Sequence, residues 1–261
     1  MASVKATMQC LGIDTGGSVS VLGDFFGFIR KRVPTDPVST ATAQVSVLGQ
    51  IRACQGQHIH VNVIRVGFDA ISGGSTALDA AFEKLDYAIF RTRTIYQQIN
   101  LGVGRVLHWF ITAAEANGAD DLGSEGECDD LIADWSVQND GVDAFVVRNI
   151  SDTDFVGRAS AIPGECDKDA KDDGLCAGEI GRAAEGFART FAHELGHHLG
   201  LSHNHGGANC PGTTAGCNNL MAQTRCATSC GGGIRTAVLL TASQGSTILT
   251  APAHCAVQSG C

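Results

Sequence analysis

The stretch FAHELGHHLGLSHNHGG, residues 191–207, carries five of the nine histidines in the chain. A helix advances about 100° per residue, so side chains four residues apart lie on the same face. His193 and His197 are such a pair, whereas His198 points well away from His193. Two imidazoles on one helical face can bind a single metal ion, and a catalytic zinc commonly has three protein ligands and a fourth position for water. The stretch therefore predicts a helix that carries two ligands of a metal site.

A third ligand requires the chain to turn back after this helix. His203 follows His193 by ten residues, which is about 15 Å along a straight helix. Gly200 stands where the helix would stop, and glycine most readily adopts the left-handed conformation that ends helices. A turn there would bring His203 to the metal, and a wider turn would bring His205 instead; the spacing from Gly200 favours His203. We interpret His198 and His205 as surface or hydrogen-bonded histidines.

Glu194 follows His193 directly and is rotated off the ligand face. This position suits a carboxylate that contacts a metal-bound water rather than the metal. Zinc lowers the pKa of such a water to about 7, and a carboxylate beside it can take the proton as the water attacks a carbonyl. The same carboxyl can then protonate the leaving amine. We therefore predict one catalytic Zn²⁺ with Glu194 as the general base.

The segment HELGHHLGLSH, residues 193–203, resembles the extended zinc motif of the metzincin endopeptidases, His-Glu-x-x-His-x-x-Gly-x-x-His, at every fixed position. That family also carries a methionine in a tight turn beneath the zinc, and Met221 in CNNLMAQ is the matching residue. The resemblance implies a secreted zinc endopeptidase that acts on protein or peptide substrates. Its metal ligands would be His193, His197 and His203. The alternative is a catalytically silent extracellular binding module on the same scaffold, and the retained Glu194 argues against it.

Two departures leave the subfamily unassigned. Asn204 follows the third motif histidine, where several metzincin groups have an acidic residue or serine. No tyrosine follows Met221, so the fifth ligand of astacin-like and serralysin-like members is absent. The segment LGLSH and the many late cysteines are more similar to the adamalysin or matrixin side of the family.

The order of predicted elements indicates an α/β fold. Strands are predicted at 58–68, 104–113 and 143–150, a weak edge strand at 157–162, and helices at 75–100, about 182–199 and after Thr241, whose capping box includes Gln244. A strand–helix–strand order at this spacing favours parallel neighbours. The resemblance implies a metzincin-like catalytic domain over 56–261. Its upper lobe, to about residue 200, would hold a twisted mixed sheet and two long helices, and its irregular, disulfide-rich lower lobe, 201–261, would end in a C-terminal helix. Residues 1–55 form an N-terminal segment of unclear role.

Composition excludes some partners. The net charge of −9 without a Lys/Arg cluster argues against a nucleic-acid surface, and no apolar run approaches the ~20 residues of a membrane span. The first ten residues lack the apolar core of a signal peptide, so a secreted protein would have lost its leader.

The eleven cysteines predict disulfides and an oxidising compartment, with at least one thiol left over. Proximity predicts the local pairs Cys210–Cys217 and Cys226–Cys230. The stretch CDKDAKDDGLC, residues 166–176, is interpreted as a solvated acidic loop closed by a disulfide, with structural Ca²⁺ as the alternative, although no EF-hand spacing supports it. Cys10 lacks the Pro-Arg-Cys-Gly context of the matrixin latency switch, so we expect a disulfide there; a propeptide or an inhibitor remains a candidate partner.

Overall fold

The computed structural model describes residues 56–152, 154–166, 168, 173–178, 180–205, 210–223, 226, 228–231, 237–250 and 255–259. The predictions about Cys10 and about the segment 1–55 lie outside these residues. So do all the aspartates of the loop 166–176 except Asp173.

A twisted, mostly parallel sheet forms the centre of the fold. The strands are β1 (Gln57–Val66), β2 (Leu101–Ile111), β3 (Asp121–Leu122), β4 (Gly141–Val147), β5 (Asn149–Ile150), β6 (Arg158–Ala159), β7 (Gly174–Ala177) and β8 (Val257–Ser259). The main sheet has the order β2-β1-β4-β7-β6, and β8 pairs with β1. All neighbours along the path from β2 to β7 are parallel, and β6 is antiparallel to β7 at one end of this order. The predicted parallel pairing and the short edge strand are therefore confirmed.

Six α-helices in the described part of the chain accompany the sheet. They are α1 (Gly74–Tyr96), α2 (Ala113–Ala116), α3 (Glu125–Trp135), α4 (Ala184–His198), α5 (Thr214–Cys217) and α6 (Ala242–Thr250). The two long helices α1 and α4 correspond to the predicted helices, and α6 begins at the predicted capping box, where Thr241 and Gln244 bond each other reciprocally. None of the described helices is both long enough and apolar enough to span a membrane.

The alternation of side chains along the strands builds a core on each face of the sheet. Val61 and Val63 of β1 point to the side on which α1 and α4 pack, and Ile64 and Val66 point to the side covered by α3. A strand with period-two geometry that is apolar on both faces must be buried on both faces. This arrangement holds α4 rigidly against the sheet, and α4 carries the motif histidines.

The acidic loop at 166–176 differs from its prediction. Its last three residues, Gly174 to Cys176, belong to β7 and enter the sheet. Cys176 then faces α3 and pairs with Cys128, while Cys166 pairs with Cys255, so the predicted disulfide across the loop is wrong. Asp173 Oδ2 lies 3.0 Å from Lys168 Nζ, which favours an ion pair over Ca²⁺ at this aspartate.

The two local disulfides predicted for the lower lobe are also wrong. The pairs are Cys210–Cys226 and Cys217–Cys230. The chain folds back around Met221, so the segment before this residue lies against the segment after it. Each cysteine therefore meets a partner across the turn, with Cα atoms 5.4 and 5.5 Å apart, within the range that a disulfide needs.

Candidate active site

The last two turns of α4 hold His193 and His197, both buried, with rings edge to face and centroids 4.6 Å apart. His193 Nδ1 donates to Leu220 O at 2.7 Å, and His197 Nδ1 donates to Leu201 O at 2.6 Å. A carbonyl can only accept, so both Nδ1 atoms carry the proton and both Nε2 atoms keep a free lone pair. Burial lowers the pKa of His193 well below its ordinary value and that of His197 to about 4, and metal ligation requires this neutral state.

A left-handed turn ends α4 and redirects the chain. Gly200 has φ 95°, in the region that favours glycine. Its N–H donates to His197 O at 2.8 Å, and Leu201 N–H donates to Gly196 O at 2.8 Å. These are the two hydrogen bonds of a Schellman motif. The turn therefore does two things at once: it presents the Leu201 carbonyl to His197, and it returns the chain so that His203 reaches the helix.

The three Nε2 atoms converge on one point. His203 Nε2 lies 3.1 Å from His197 Nε2 and 3.4 Å from His193 Nε2. Tetrahedral zinc with Zn–N bonds of 2.0–2.1 Å places two nitrogen ligands about 3.3 Å apart. Within the described part of the chain, this is the only group of three or more His, Cys, Asp or Glu residues spaced closely enough for one ion. The donor set and its spacing fit zinc with one position left open.

His205 lies outside this cluster, so the wider turn is not formed. Its Nε2 accepts a hydrogen bond from Gln223 N at 3.3 Å, and its ring stacks on that of His203 with centroids 5.8 Å apart. The prediction of a hydrogen-bonded histidine is confirmed at this position.

The same prediction is wrong for His198. The side chain is 0% exposed, and neither ring nitrogen has a hydrogen-bond partner among the residues that the structure describes. The segment at Gly164 covers this side of α4: Gly164 N–H donates to His198 O, and a Cβ at Gly164 would lie 2.1 Å from Nδ1. Burial, helped by the charge of Lys168, lowers the pKa of His198 to about 4, so the ring is a neutral core group.

Met221 lies against the helix between the paired histidines. It is fully buried, and its Sδ would be 2.8 Å from a Cβ at Gly196, so only glycine permits this approach. Met221 O accepts from Asn204 N–H at 3.1 Å, and Met221 N–H donates to Asn219 Oδ1 at 2.9 Å. The turn at Met221 is therefore tied to the residue that follows His203.

Glu194 is buried beside strand β6. Its Oε2 accepts a hydrogen bond from Ala159 N–H at 3.1 Å. Burial raises the pKa of the Glu194 carboxyl to about 8, opposed by the Ala159 hydrogen bond and by the charges of Arg189 and Arg158. A nearby cation would lower this pKa. The carboxyl is thus fixed at the cleft wall beside the histidine cluster.

Two residues of the site were not predicted. Ala159 contributes only its main chain, which no sequence pattern reveals. Arg189 had a signal, because it lies one helical turn before His193 and therefore on the helix face that carries the ligand histidines. Its guanidinium Nη2 donates to Leu220 O and to Ala222 O, so Arg189 and His193 share the Leu220 carbonyl.

A cleft of about 480 Å³ opens over these groups. Its lining comes from β6 and the residues before it, from α4, and from the turn after Met221. The main contributors are Gly157, Arg158, Ala159, Ile162, Arg189, Thr190, His193, Glu194, His197, His203 and Gln223. The cleft therefore joins the free edge of the sheet to the histidine cluster.

Comparison with known proteins assigns the chain to a peptidase family. The family model described as metallo-peptidase family M12 matches residues 68–237, which include both long helices, the histidine cluster and Met221. No curated protein sequence matches the chain at a significant level.

Proposed function

The chain belongs to metallo-peptidase family M12, and from this premise we propose that it is a zinc-dependent endopeptidase that hydrolyses internal peptide bonds of proteins. The observation that carries the proposal is the convergence of three Nε2 atoms, 3.1 and 3.4 Å apart, with the Nδ1 atoms of two rings held by main-chain carbonyls. We assign His193, His197 and His203 as the ligands of one zinc ion.

Zinc in such a site polarises a carbonyl and lowers the pKa of water. The remaining chemistry belongs to Glu194. Its carboxylate takes the proton of the attacking water and afterwards gives a proton to the leaving amine. The hydrogen bond from Ala159 N–H holds one carboxylate oxygen, so the other is left to face the cleft.

An extended substrate fits the edge of β6. One side of this strand pairs with β7, and the other side lines the cleft. Ser160 N–H donates to Gly174 O, toward β7, and the neighbouring Ala159 N–H points the other way, toward Glu194. An extended peptide can add to this edge through main-chain groups other than Ala159 N–H, and such hydrogen bonds depend little on sequence. This geometry supports cleavage inside a chain rather than at a terminus.

An extracellular location is part of the proposal. Four disulfides lie among the described residues. Disulfides form and persist in oxidising compartments.

Casein cleavage tests the proposal. The purified protein should contain one zinc per chain by elemental analysis and should cleave casein. A zinc chelator should abolish cleavage, added zinc should restore it, and the same chelator saturated with zinc beforehand should have no effect. A protein that holds one zinc and cleaves neither casein nor a mixed peptide library would instead be a silent binding module. Cleavage that persists after complete zinc removal would contradict the metal assignment.

A further inference from the structure

A buried arginine that lines the cleft has no carboxylate partner among the residues that the structure describes. Arg189 is 4% exposed, and its guanidinium bonds two main-chain carbonyls, those of Leu220 and Ala222. Within the same described residues, its Nε has no hydrogen-bond partner, and no carboxylate lies within salt-bridge distance of the guanidinium. Charged groups are rarely buried unless they are paired, because burial removes their hydration. Burial accordingly lowers the pKa of Arg189 to about 10.

The other arginine of the cleft shows the contrast. Arg158 is bound by Asp129 through two hydrogen bonds and by Glu125 through a third. Its charge is neutralised within the protein. Glu194 acts on Arg189 only through its field and is itself bonded to Ala159 N–H.

Arg189 also lies at the reacting centre. It precedes His193 by one helical turn, and it bonds the same Leu220 carbonyl that His193 uses. A substrate residue beside the scissile bond therefore passes close to this guanidinium. The N–H groups of this guanidinium that the two carbonyls do not use can donate charge-assisted hydrogen bonds to a carboxylate.

We propose that Arg189 makes the enzyme select substrates with an acidic side chain, Glu or Asp, next to the scissile bond. The proposal rests on the peptidase function proposed above. The substrate carboxylate supplies the counterion that the described part of the protein does not provide. The side chain that enters the cleft is thereby chosen by charge as well as by size.

A purely structural role for Arg189 makes a different prediction. If the guanidinium only supports the Leu220 and Ala222 carbonyls, its loss impairs cleavage of every peptide by the same factor. If it binds a substrate carboxylate, its loss changes the ratio between peptides that carry a carboxylate and those that carry an amide of the same shape. This ratio is insensitive to how much enzyme is active.

The experiment uses pairs of peptides that differ by Glu against Gln at each position flanking the scissile bond, with the zinc-loaded enzyme. At one position kcat/KM for Glu should exceed that for Gln by about tenfold or more, as expected for a hydrogen bond to a charged group. Arg189→Gln should reduce this ratio to about one. Arg158→Gln is the matched control and should keep the preference, because Arg158 already has its own carboxylates.

Three results would overturn the inference. The first is a wild-type enzyme that cleaves these peptides with no Glu preference at any position. The second is an unchanged ratio in Arg189→Gln. The third is a preference that disappears in Arg158→Gln while it persists in Arg189→Gln. If Arg189→Gln does not fold, the inference is tested with the wild-type cleavage profile and with Arg189→Lys. The lysine variant keeps the positive charge but lacks the planar guanidinium, so it should retain a weaker preference for Glu over Gln. A zinc-loaded protein that cleaves no peptide at all contradicts the peptidase function instead.

Discussion

Replacing Gly200 with alanine tests whether the turn after α4 delivers the third histidine. Gly200 has φ 95°, where a Cβ collides with the neighbouring backbone. A non-glycine residue forced into such a conformation costs about 1–3 kcal/mol. The variant should therefore lose about that much stability, measured by urea unfolding of the zinc-stripped protein.

Zinc affinity should fall as well. The turn places Leu201 O on His197 Nδ1 and returns the chain to His203. Groups that orient metal ligands typically change metal affinity by about 10–100-fold when they are disturbed. A chelator competition titration of Gly200→Ala should show a zinc dissociation constant raised at least tenfold.

Gly186→Ala on the same helix is the matched control. Gly186 lies in the first turn of α4, and a Cβ there would meet nothing within 4 Å. Alanine is favoured over glycine in helices by up to about 1 kcal/mol, so this variant should be as stable as the wild type or more stable, with unchanged zinc binding. If both variants had the same stability, the left-handed turn would be refuted. If Gly200→Ala lost stability but bound zinc normally, the turn would not be what positions His203.

Three further predictions concern single side chains. Glu194→Gln keeps an acceptor for Ala159 N–H and all three imidazoles, so it should retain zinc while peptidase activity falls at least ~10²-fold; near-normal turnover of the zinc-loaded variant would refute the general base. His203→Ala should lose zinc by elemental analysis, whereas His205→Ala should keep zinc and most activity, and the reverse pattern would reassign the ligand. Burial, with the charge of Arg105, lowers the pKa of His60 to about 4, so the folded protein binds fewer protons than the unfolded chain between pH 6.5 and 4. The free energy of unfolding should therefore decrease as the pH is lowered through that window, by at most about 3 kcal/mol from this group. In urea titrations at each pH, His60→Gln should show a smaller decrease.

The parts of the fold that follow a regular period could be predicted from sequence. The stripe that includes Leu85 and Ile89 marked α1, and the apolar runs marked β1, β2 and β4, because buried elements must repeat apolar residues at helical or strand spacing. The pairing of His193 with His197 follows from the same helical geometry. Gly200 predicted the end of α4 because glycine is the residue that a left-handed helix end selects.

Elements without a period were missed or misread. β7 has only four residues and follows an acidic run, so its local composition indicates a loop, yet β4 offers it a free edge and the core accepts Leu175 and Cys176. The disulfides depend on how the chain folds back around Met221, and sequence separation does not encode that path. His198 was misread because the segment that buries it, at Gly164, is remote in sequence.

The three histidines of the site can be recognised in the sequence, whereas the groups that hold their rings in place cannot. This difference bears on substrate specificity. Imidazole ligands require histidine, so the proposed ligands appear in the sequence as a residue pattern. The orientation of two of these rings depends on the carbonyls of Leu220 and Leu201, and because every residue type has a carbonyl, this support leaves no pattern. Arg189 combines two roles: it bonds the Leu220 carbonyl, and its cation lines the cleft. Removal of this buried cation would change the charge that a substrate in the cleft meets. The zinc motif therefore indicates the reaction class, whereas the substrate preference that we propose depends on Arg189, one helical turn before the motif.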